Sequence, residues 1–303
     1  MRSATPTTSR TVTSPDGTTI AYQEAGSGDG VIVVGGALRA ACDYLPFAEV
    51  LARSFTVYVM ERRGRGASGP QGRAYSIEKE CEDLLAVQAE TDARAAFGHS
   101  YGGLVCLETA RRTAAFRQLA VYEPGAWMEG VFSAAWMPQY RKRLDQGDTR
   151  GAFACMVKGA GFAPAVVAKM PLWYVKLVLR LAIPKRRWTP MEALLGANLA
   201  EHEEVGRLAG NLDRFRSIGS RVLLLGGGKS PPAIVRRSLG ALHEIIAGSS
   251  MEIIDGLAHT APDEDAPGIV GERVLAYFRA TTGEEYVRSQ HTVVMNSRPE
   301  ESR

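Results

Sequence analysis

Residues 95–105 read Ala-Ala-Phe-Gly-His-Ser-Tyr-Gly-Gly-Leu-Val, and this stretch decides the fold. It opens on an apolar run that predicts a buried strand, and it ends where a helical pattern begins. Between the two, Gly98, Ser100 and Gly102 form the pattern Gly-x-Ser-x-Gly. The glycines permit a sharp turn, which holds the serine in a strained backbone conformation with its hydroxyl exposed above the strand. The pattern therefore predicts a nucleophilic serine at a strand-to-helix turn.

The segments on either side of this turn alternate between predicted strands and helices. Residues 31–34 are Val-Ile-Val-Val, and such wholly apolar runs are typical of strands covered on both faces of a parallel sheet. The predicted strands occupy residues 10–14, 18–23, 31–34, 55–60, 93–97, 119–122, 221–225 and 251–254. The predicted helices occupy residues 47–53, 76–91, 103–113, 232–246 and 268–281. This alternation predicts an α/β fold with a mostly parallel, doubly covered sheet.

The alternation stops between residues 125 and 218, where no strand-like run occurs. Aromatic residues are interleaved there with Gly, Pro and basic residues over a largely helical stretch, so we expect an inserted lid of short helices. The sheet and its helices then come from residues 11–124 and 219–282. Residues 1–10 and 283–303 are polar and are expected to form flexible tails.

Four blocks of the sequence resemble the α/β-hydrolase superfamily, in its serine-nucleophile, lidded form. The turn at Ser100 is the first block. Residues 31–38 resemble the strand and turn that supply an oxyanion-hole amide. Residues 60–69, Met-Glu-Arg-Arg-Gly-Arg-Gly-Ala-Ser-Gly, resemble the family's Asp-x-Arg-Gly-x-Gly-x-Ser loop, and residues 256–259, Gly-Leu-Ala-His, resemble its late histidine loop. The resemblance covers residues 12–278 and implies a triad of serine, histidine and acid.

His259 is the candidate base for the serine. A serine hydroxyl is a poor nucleophile unless a base lies within hydrogen-bond reach, and His259 follows the last predicted strand. His99 is fixed inside the serine turn and is expected to be buried. For His202, His243 and His291 we expect roles on the surface or in packing.

Glu123 is the candidate acid. Most of the family carries an Asp after the seventh strand, where this chain reads Gly-Gly-Gly-Lys-Ser-Pro with Lys229 in place of a carboxylate. Lysine cannot accept a hydrogen bond from an imidazole N–H and would repel an imidazolium. A second arrangement known in the fold places the acid after the sixth strand, where Glu123 stands at the rim of the sheet. Asp255 competes for the role, and Asp263 is a weaker competitor.

The oxyanion hole requires two backbone amides aimed at the oxygen that gains charge. Tyr101 follows the nucleophile and is expected to supply one, and Ala37 is expected to supply the other. The family's usual His-Gly is Gly35-Gly36 here. The replacement removes a side chain that anchors the loop, but it removes no donor because the donor belongs to the main chain.

Composition and charge exclude several other classes. The 303 residues are 45% apolar and 23% charged, as in globular proteins, and a net charge of +3 is too small to imply nucleic acid. The four cysteines lack disulfide or metal-ligand spacing, so we expect free thiols and neither metal nor cofactor. No secretory signal and no run of about 20 apolar residues is found, so we expect a cytoplasmic protein without a membrane partner. The charged loop at residues 61–65 is expected to be a structural, salt-bridged loop.

These residues predict a cofactor-free serine hydrolase with Ser100 as nucleophile. The expected substrate is a small-molecule ester, lactone or thioester with an apolar part, cleaved through an acyl-enzyme. Epoxide and haloalkane hydrolases of the superfamily use an Asp nucleophile, which Ser100 argues against. Two alternatives stay open. One is a specialised biosynthetic member that performs peptide or C–C cleavage or a non-hydrolytic cyclisation, and the other is a catalytically silent ligand-binding module.

Overall fold

A single eight-stranded sheet forms the centre of the computed structural model, which describes residues 7–161, 163 and 165–280. The strands are β1 Thr8–Thr13, β2 Thr19–Gly26, β3 Gly30–Val34, β4 Thr56–Glu61, β5 Ala95–His99, β6 Gln118–Tyr122, β7 Arg221–Gly227 and β8 Ser250–Ile254. Their order across the sheet is β1-β2-β4-β3-β5-β6-β7-β8. β2 pairs antiparallel with β1 and β4, and the remaining pairs are parallel. The predicted mostly parallel sheet is confirmed.

Helices cover both faces of the sheet, as the apolar runs predict. The helices are α1 Leu45–Leu51, α2 Ile77–Thr91, α3 Tyr101–Ala110, α4 Met137–Asp145, α5 Thr149–Gly159, α6 Ala165–Lys169, α7 Leu172–Ala182, α8 Lys185–Ala193, α9 Leu195–Leu208, α10 Gly240–Ile245 and α11 Pro267–Arg279. In β3, Ile32 and Val34 point into the core beneath α2, α3 and α10. Val31 and Val33 point into the opposite core beneath α1 and α11. All four are fully buried, which explains why this strand shows no polar alternation.

Most predicted elements lie within three residues of their observed bounds, and three differences are worth naming. β1 begins at Thr8, so residues 8–10 belong to the sheet and not to a flexible tail. The predicted helix at 232–246 is a π-helical segment, Ala233–Leu239, followed by α10. α3 begins directly after the serine. Residues 1–6 and the predicted tail at 283–303 lie outside the described part of the chain.

The chain between β6 and β7 carries α4 to α9, and its described residues contain no strand, as expected for an insertion. These helices have a small core of their own, which includes Trp136, Tyr140, Phe153, Trp188 and Leu195. The insertion therefore packs as a separate layer against the sheet domain.

A buried network of charges joins that insertion to the sheet domain. Arg62 donates to both carboxylate oxygens of Glu80 at 2.7 and 3.0 Å and to Glu201 of α9 at 2.9 Å. Arg65 donates to the same Glu201 oxygen at 2.6 Å. Burial alone would raise the pKa of Glu201, but the charges of Arg62 and Arg65 outweigh it and hold the pKa below its usual value. The loop at 61–65 is thus the structural, salt-bridged loop that the sequence predicts.

We expect Glu201→Gln to destabilise the folded protein by about 3 kcal/mol, because Arg65 loses its carboxylate partner while remaining buried. Urea denaturation followed by circular dichroism measures the change. Glu203→Gln is the matched control on the same helix, since Glu203 pairs with Arg141 at the surface. Glu203→Gln should lower the free energy of unfolding by less than about 0.5 kcal/mol. Equal costs for the two variants would contradict this account of the network.

Candidate active site

Ser100 occupies a sharp turn between β5 and α3. Its backbone has φ 53° and ψ −117°, a conformation that a non-glycine residue adopts only under constraint from its surroundings. The neighbouring glycines leave no room for side chains. A Cβ atom at Gly102 would lie 2.2 Å from the carbonyl oxygen of Val34, and one at Gly98 would lie 2.6 Å from that of Gly102. The Gly-x-Ser-x-Gly pattern is therefore required by the packing of this turn.

The structure brings Ser100, His259 and Glu123 into one hydrogen-bonded chain. The His259 Nε2 atom lies 3.1 Å from the Ser100 Oγ atom, and its Nδ1 atom lies 2.7 Å from Glu123 Oε2. Because a carboxylate only accepts, Nδ1 carries the proton and Nε2 is free to accept one from the serine hydroxyl. The Glu123 side chain is fully buried, and its other oxygen accepts from the Gly227 amide at 2.8 Å.

The competing carboxylates lie elsewhere. Asp255 is exposed and approaches the backbone of Gly228. Lys229 is exposed as well, and its amide donates to the carbonyl of Leu257 at 2.8 Å. The glycine-rich turn after β7 thus supplies backbone partners to Glu123 and to the loop that carries the histidine, and no carboxylate.

Asp263 is buried on the other side of His99. It pairs with Arg39, and its Oδ1 atom lies 3.5 Å from the His99 Nδ1 atom. Burial raises the pKa of Asp263 to about 6, although the positive charge of Arg39 works against the rise. Burial, followed by the charges of His259 and Arg39, lowers the pKa of His99 well below its usual value, so this imidazole is neutral.

A tyrosine that sequence patterns did not single out anchors the turn after β3. The Tyr44 hydroxyl accepts from the Gly36 amide at 2.8 Å and donates to the His99 Nδ1 atom at 2.7 Å. The opposite nitrogen of His99 donates to the carbonyl of His259 at 2.8 Å. Arg62 also donates to the carbonyl of Gly36, at 3.2 Å. The anchor that the Gly35-Gly36 replacement removes from the loop is therefore supplied by Tyr44 and Arg62.

Ser100 opens into a narrow cavity of about 30 Å³ between the sheet domain and the insertion. Its walls are formed by Ala37, Ser100, Tyr101, Gly125, Trp127, Phe132, Ala160, His202 and Val205. Two of these wall residues are the ones expected to supply the oxyanion amides, Ala37 and Tyr101. Most of the others belong to the insertion, which therefore covers the serine.

His202 is a wall residue that the sequence analysis expected only on the surface or in packing. It packs edge-on against Trp136, and its Nδ1 atom donates to the carbonyl of Asn198 at 2.9 Å. Burial lowers the pKa of His202. The neutral ring therefore leaves its Nε2 atom as a hydrogen-bond acceptor beside the cavity. No local pattern distinguishes this histidine from a surface residue of α9, because only the packing of the insertion turns it inward.

Within residues 7–161, 163 and 165–280, no group of three or more His, Cys, Asp or Glu side chains is arranged to hold a metal ion. His243 is exposed and bonds to Ser249, and His291 lies outside the described residues. Of the five histidines, His259, His99 and His202 are therefore the ones that lie at the cavity or bond to its residues.

A serine on this turn, backed by a histidine from beyond the last strand, is the arrangement that defines α/β hydrolases. Residues 31–272 match the alpha/beta hydrolase family, and the chain belongs to that family. Its members are hydrolases on very different bonds, so the membership fixes the fold and leaves the substrate open.

Solved structures agree with the family assignment. An alpha/beta hydrolase from Sphaerobacter thermophilus is 30% identical, with 89% of this chain and 100% of that chain covered and a TM-score of 0.75. A thermophilic esterase from Thermogutta terrifontis is 20% identical (90% and 98% covered, TM-score 0.66). The epoxide hydrolase CorEH is 17% identical (90% and 99% covered, TM-score 0.64). The similarities to the esterase and to the epoxide hydrolase show only that the folds are alike. No match was found among curated protein sequences.

We expect Tyr44→Phe to lower the stability by about 1–3 kcal/mol, because the buried Gly36 amide and His99 Nδ1 each lose their partner. Thermal unfolding measures the loss. Tyr58→Phe is the control, since the Tyr58 hydroxyl forms no hydrogen bond within the described part of the chain. An unchanged stability of Tyr44→Phe would show that the loop is held without this hydroxyl.

Proposed function

We propose that this protein is a serine hydrolase that cleaves an ester, lactone or thioester through an acyl-enzyme. The observation that carries the proposal is the hydrogen-bonded chain from Ser100 through His259 to the buried Glu123. A silent binding module would have no need for a strained serine turned toward a base. The biosynthetic alternative drew on two departures, the replaced His-Gly and Lys229 at the usual position of the acid. Tyr44 supplies an anchor for the loop, and Glu123 supplies a carboxylate to His259, so neither departure favours that alternative.

The proposed reaction begins with attack by the Ser100 Oγ atom on the acyl carbonyl carbon. The hydroxyl proton moves to the Nε2 atom of His259, and the imidazolium so formed is stabilised by the carboxylate of Glu123. The bond from the acyl carbon to the leaving oxygen or sulfur then breaks, the same proton passes to that oxygen or sulfur, and the acyl group stays on the serine. A water molecule, deprotonated by His259, attacks the carbonyl of the acyl-enzyme. The bond to the Ser100 oxygen breaks, His259 returns the proton to that oxygen, and the acid is released.

Two backbone amides are suited to hold the oxyanion. Tyr101 is the first residue of α3, where amides have no partner within the helix and the helix dipole favours negative charge. Ala37 lies opposite, in the turn held by Tyr44 and Arg62, and it lines the same cavity as Ser100. A donor that is fixed before the substrate arrives needs no reorganisation during the reaction, which is the source of its effect on rate.

The size of the cavity supports a substrate with a short acyl group. About 30 Å³ of space, walled by Trp127, Phe132 and Val205, favours a small apolar acyl group over a long chain as the structure stands. The Nε2 atom of His202 is the polar exception and suits a hydroxyl or N–H group on the substrate. We assign the inserted helices over residues 125–218 as the lid of this site.

An active-site-directed fluorophosphonate should label the wild-type protein and fail to label Ser100→Ala. Turnover of p-nitrophenyl acetate should fall at least about 10³-fold in Ser100→Ala and in His259→Ala, because each removes part of one catalytic unit. Ser217→Ala, at an exposed serine, is the control and should keep full labelling and turnover. Labelling of Ser100→Ala would refute the proposal.

The acid is tested by comparing Glu123→Gln with Asp255→Asn. We expect Glu123→Gln to lower kcat about 10³- to 10⁴-fold, because the amide cannot stabilise the imidazolium. Asp255→Asn should stay within about twofold of the wild type, since that carboxylate is exposed and the Nδ1 atom of His259 is bonded to Glu123. A larger loss in Asp255→Asn than in Glu123→Gln would transfer the role of the acid to Asp255.

A further inference from the structure

The helix α7 carries an apolar face that the described residues of the protein leave uncovered. Trp173, Leu177 and Leu181 lie four residues apart on one side of the helix, with Tyr174 and Val178 beside them. All five are exposed, Trp173 by 68% and Leu181 by 78%. Exposed large apolar residues are normal when they are scattered, whereas a continuous stripe of five marks a surface that binds something.

The other side of α7 explains why the helix is apolar all round. Val175 is buried, Leu172 and Leu179 are half-buried, and this side packs on α5 within the insertion. The core of the insertion includes Leu172 and Leu179 of this inward side but none of the five residues of the outward stripe. The stripe therefore lies outside that core.

The surroundings of this stripe are basic. Residues 149–191 contain eight Lys or Arg residues and no Asp or Glu, although the net charge of the whole chain is only +3. Lys169, Arg180, Lys185 and Arg186 are exposed and form no ion pair within the described part of the chain. Arg180 stands on α7 itself, at the margin of the stripe. Two other basic residues of this segment, Lys176 and Arg187, are paired with Asp148 and Glu264. The four residues that have no ion pair within the described part of the chain leave the surroundings of the apolar face with a net positive charge.

We propose that α7 docks onto the surface of an anionic phospholipid bilayer. Trp173, Leu177 and Leu181 would enter the boundary between headgroups and acyl chains, and the basic border would meet the lipid phosphates. Apolar residues with Trp on one face and Lys or Arg around them are the pattern of helices that lie in a membrane interface. Each basic residue near an anionic surface adds to the attraction.

The same charges argue against the other possible occupants. A second copy of the chain, related by a twofold axis, would set the acid-free segment of residues 149–191 against its own equivalent. No helix in the described part of the chain is long and apolar enough to cross a bilayer, and α7 has 11 residues. Docking therefore means that α7 lies on the surface of the bilayer. The expectation of no membrane partner rested on the absence of a span and did not address this mode of binding.

Vesicle binding tests the proposal with an intrinsic reporter. Trp127, Trp136 and Trp188 are at most 6% exposed, so Trp173 is the tryptophan that meets the vesicle. Vesicles of phosphatidylcholine mixed with phosphatidylglycerol should shift the tryptophan fluorescence of the protein to shorter wavelength. The protein should also rise with these vesicles in a flotation gradient. Trp173→Phe should lose the shift. Phosphatidylcholine alone should bind at least about tenfold more weakly, and equal binding to both vesicles would overturn the role of charge.

Paired variants separate the apolar stripe from the basic border. Leu177→Asp combined with Leu181→Asp should reduce binding at least about tenfold, as both side chains are exposed and lie outside the core of the insertion. Arg180→Glu combined with Lys185→Glu should weaken binding about 25-fold or more, because each basic residue contributes about fivefold to the affinity for an anionic surface. Arg73→Glu combined with Arg117→Glu makes the same change in net charge outside residues 149–191 and should leave binding within about threefold.

Three results would overturn the proposal. One is an absence of binding to either vesicle, and the second is equal weakening by both pairs of charge reversals. The third is a dimer in size-exclusion chromatography that the Leu177→Asp, Leu181→Asp variant dissociates, without vesicle binding, which would make a second copy the occupant. The test does not depend on the proposed hydrolase activity. Turnover of p-nitrophenyl acetate without vesicles should be unchanged in these variants, since none of the altered residues lines the cavity.

Discussion

The carboxylate of Glu123 is the contact on which the arrangement of the site depends. One of its oxygens accepts from the amide of Gly227 and the other from the imidazole of His259. It therefore links the end of β6, the end of β7 and the loop after β8, three segments that parallel pairing already brings to one edge of the sheet. A fully buried carboxylate is tolerated there because both of its oxygens are bonded. The position of His259 above Ser100 follows from that linkage.

A second set of buried hydrogen bonds fixes the turn after β3 against the same histidine loop. Tyr44 joins the amide of Gly36 to His99, and His99 joins Tyr44 to the carbonyl of His259. His99 can play this part because burial keeps it neutral, with one nitrogen donating and the other accepting. The histidine inside the serine turn is thus a connecting residue, which links the turn after β3 to the loop that carries His259.

Sequence patterns predicted the parts of this molecule that local chemistry specifies. The serine turn has a fixed glycine spacing, and Glu123 was singled out because lysine occupies the alternative position and strand ends converge in a parallel sheet. Tyr44 and His202 could not be found in that way. Tyr44 reaches Gly36 because α1 packs on the sheet. His202 faces the cavity only because the contacts of α9 set which side of that helix points inward. The start of β1 and the π-helical segment before α10 likewise depend on pairing and packing across the sheet.

The two faces of the insertion are held very differently. α9 carries Glu201 into the pocket between Arg62 and Arg65, and the next residue, His202, lines the cavity. Lifting α9 away would leave the buried Arg65 without its carboxylate partner, at a cost of about 3–5 kcal/mol. α7 and α8 are held by weaker, partly exposed ion pairs, Lys176 with Asp148 and Arg187 with Glu264, beside the apolar contacts of α7 with α5. If a larger substrate is to enter, the layer of α5 to α8 can move at lower cost than α9. The wall that α9 forms beside His202 is then the fixed part of the cavity. The layer of α5 to α8, which presents the apolar, basic surface, is the part that can adjust.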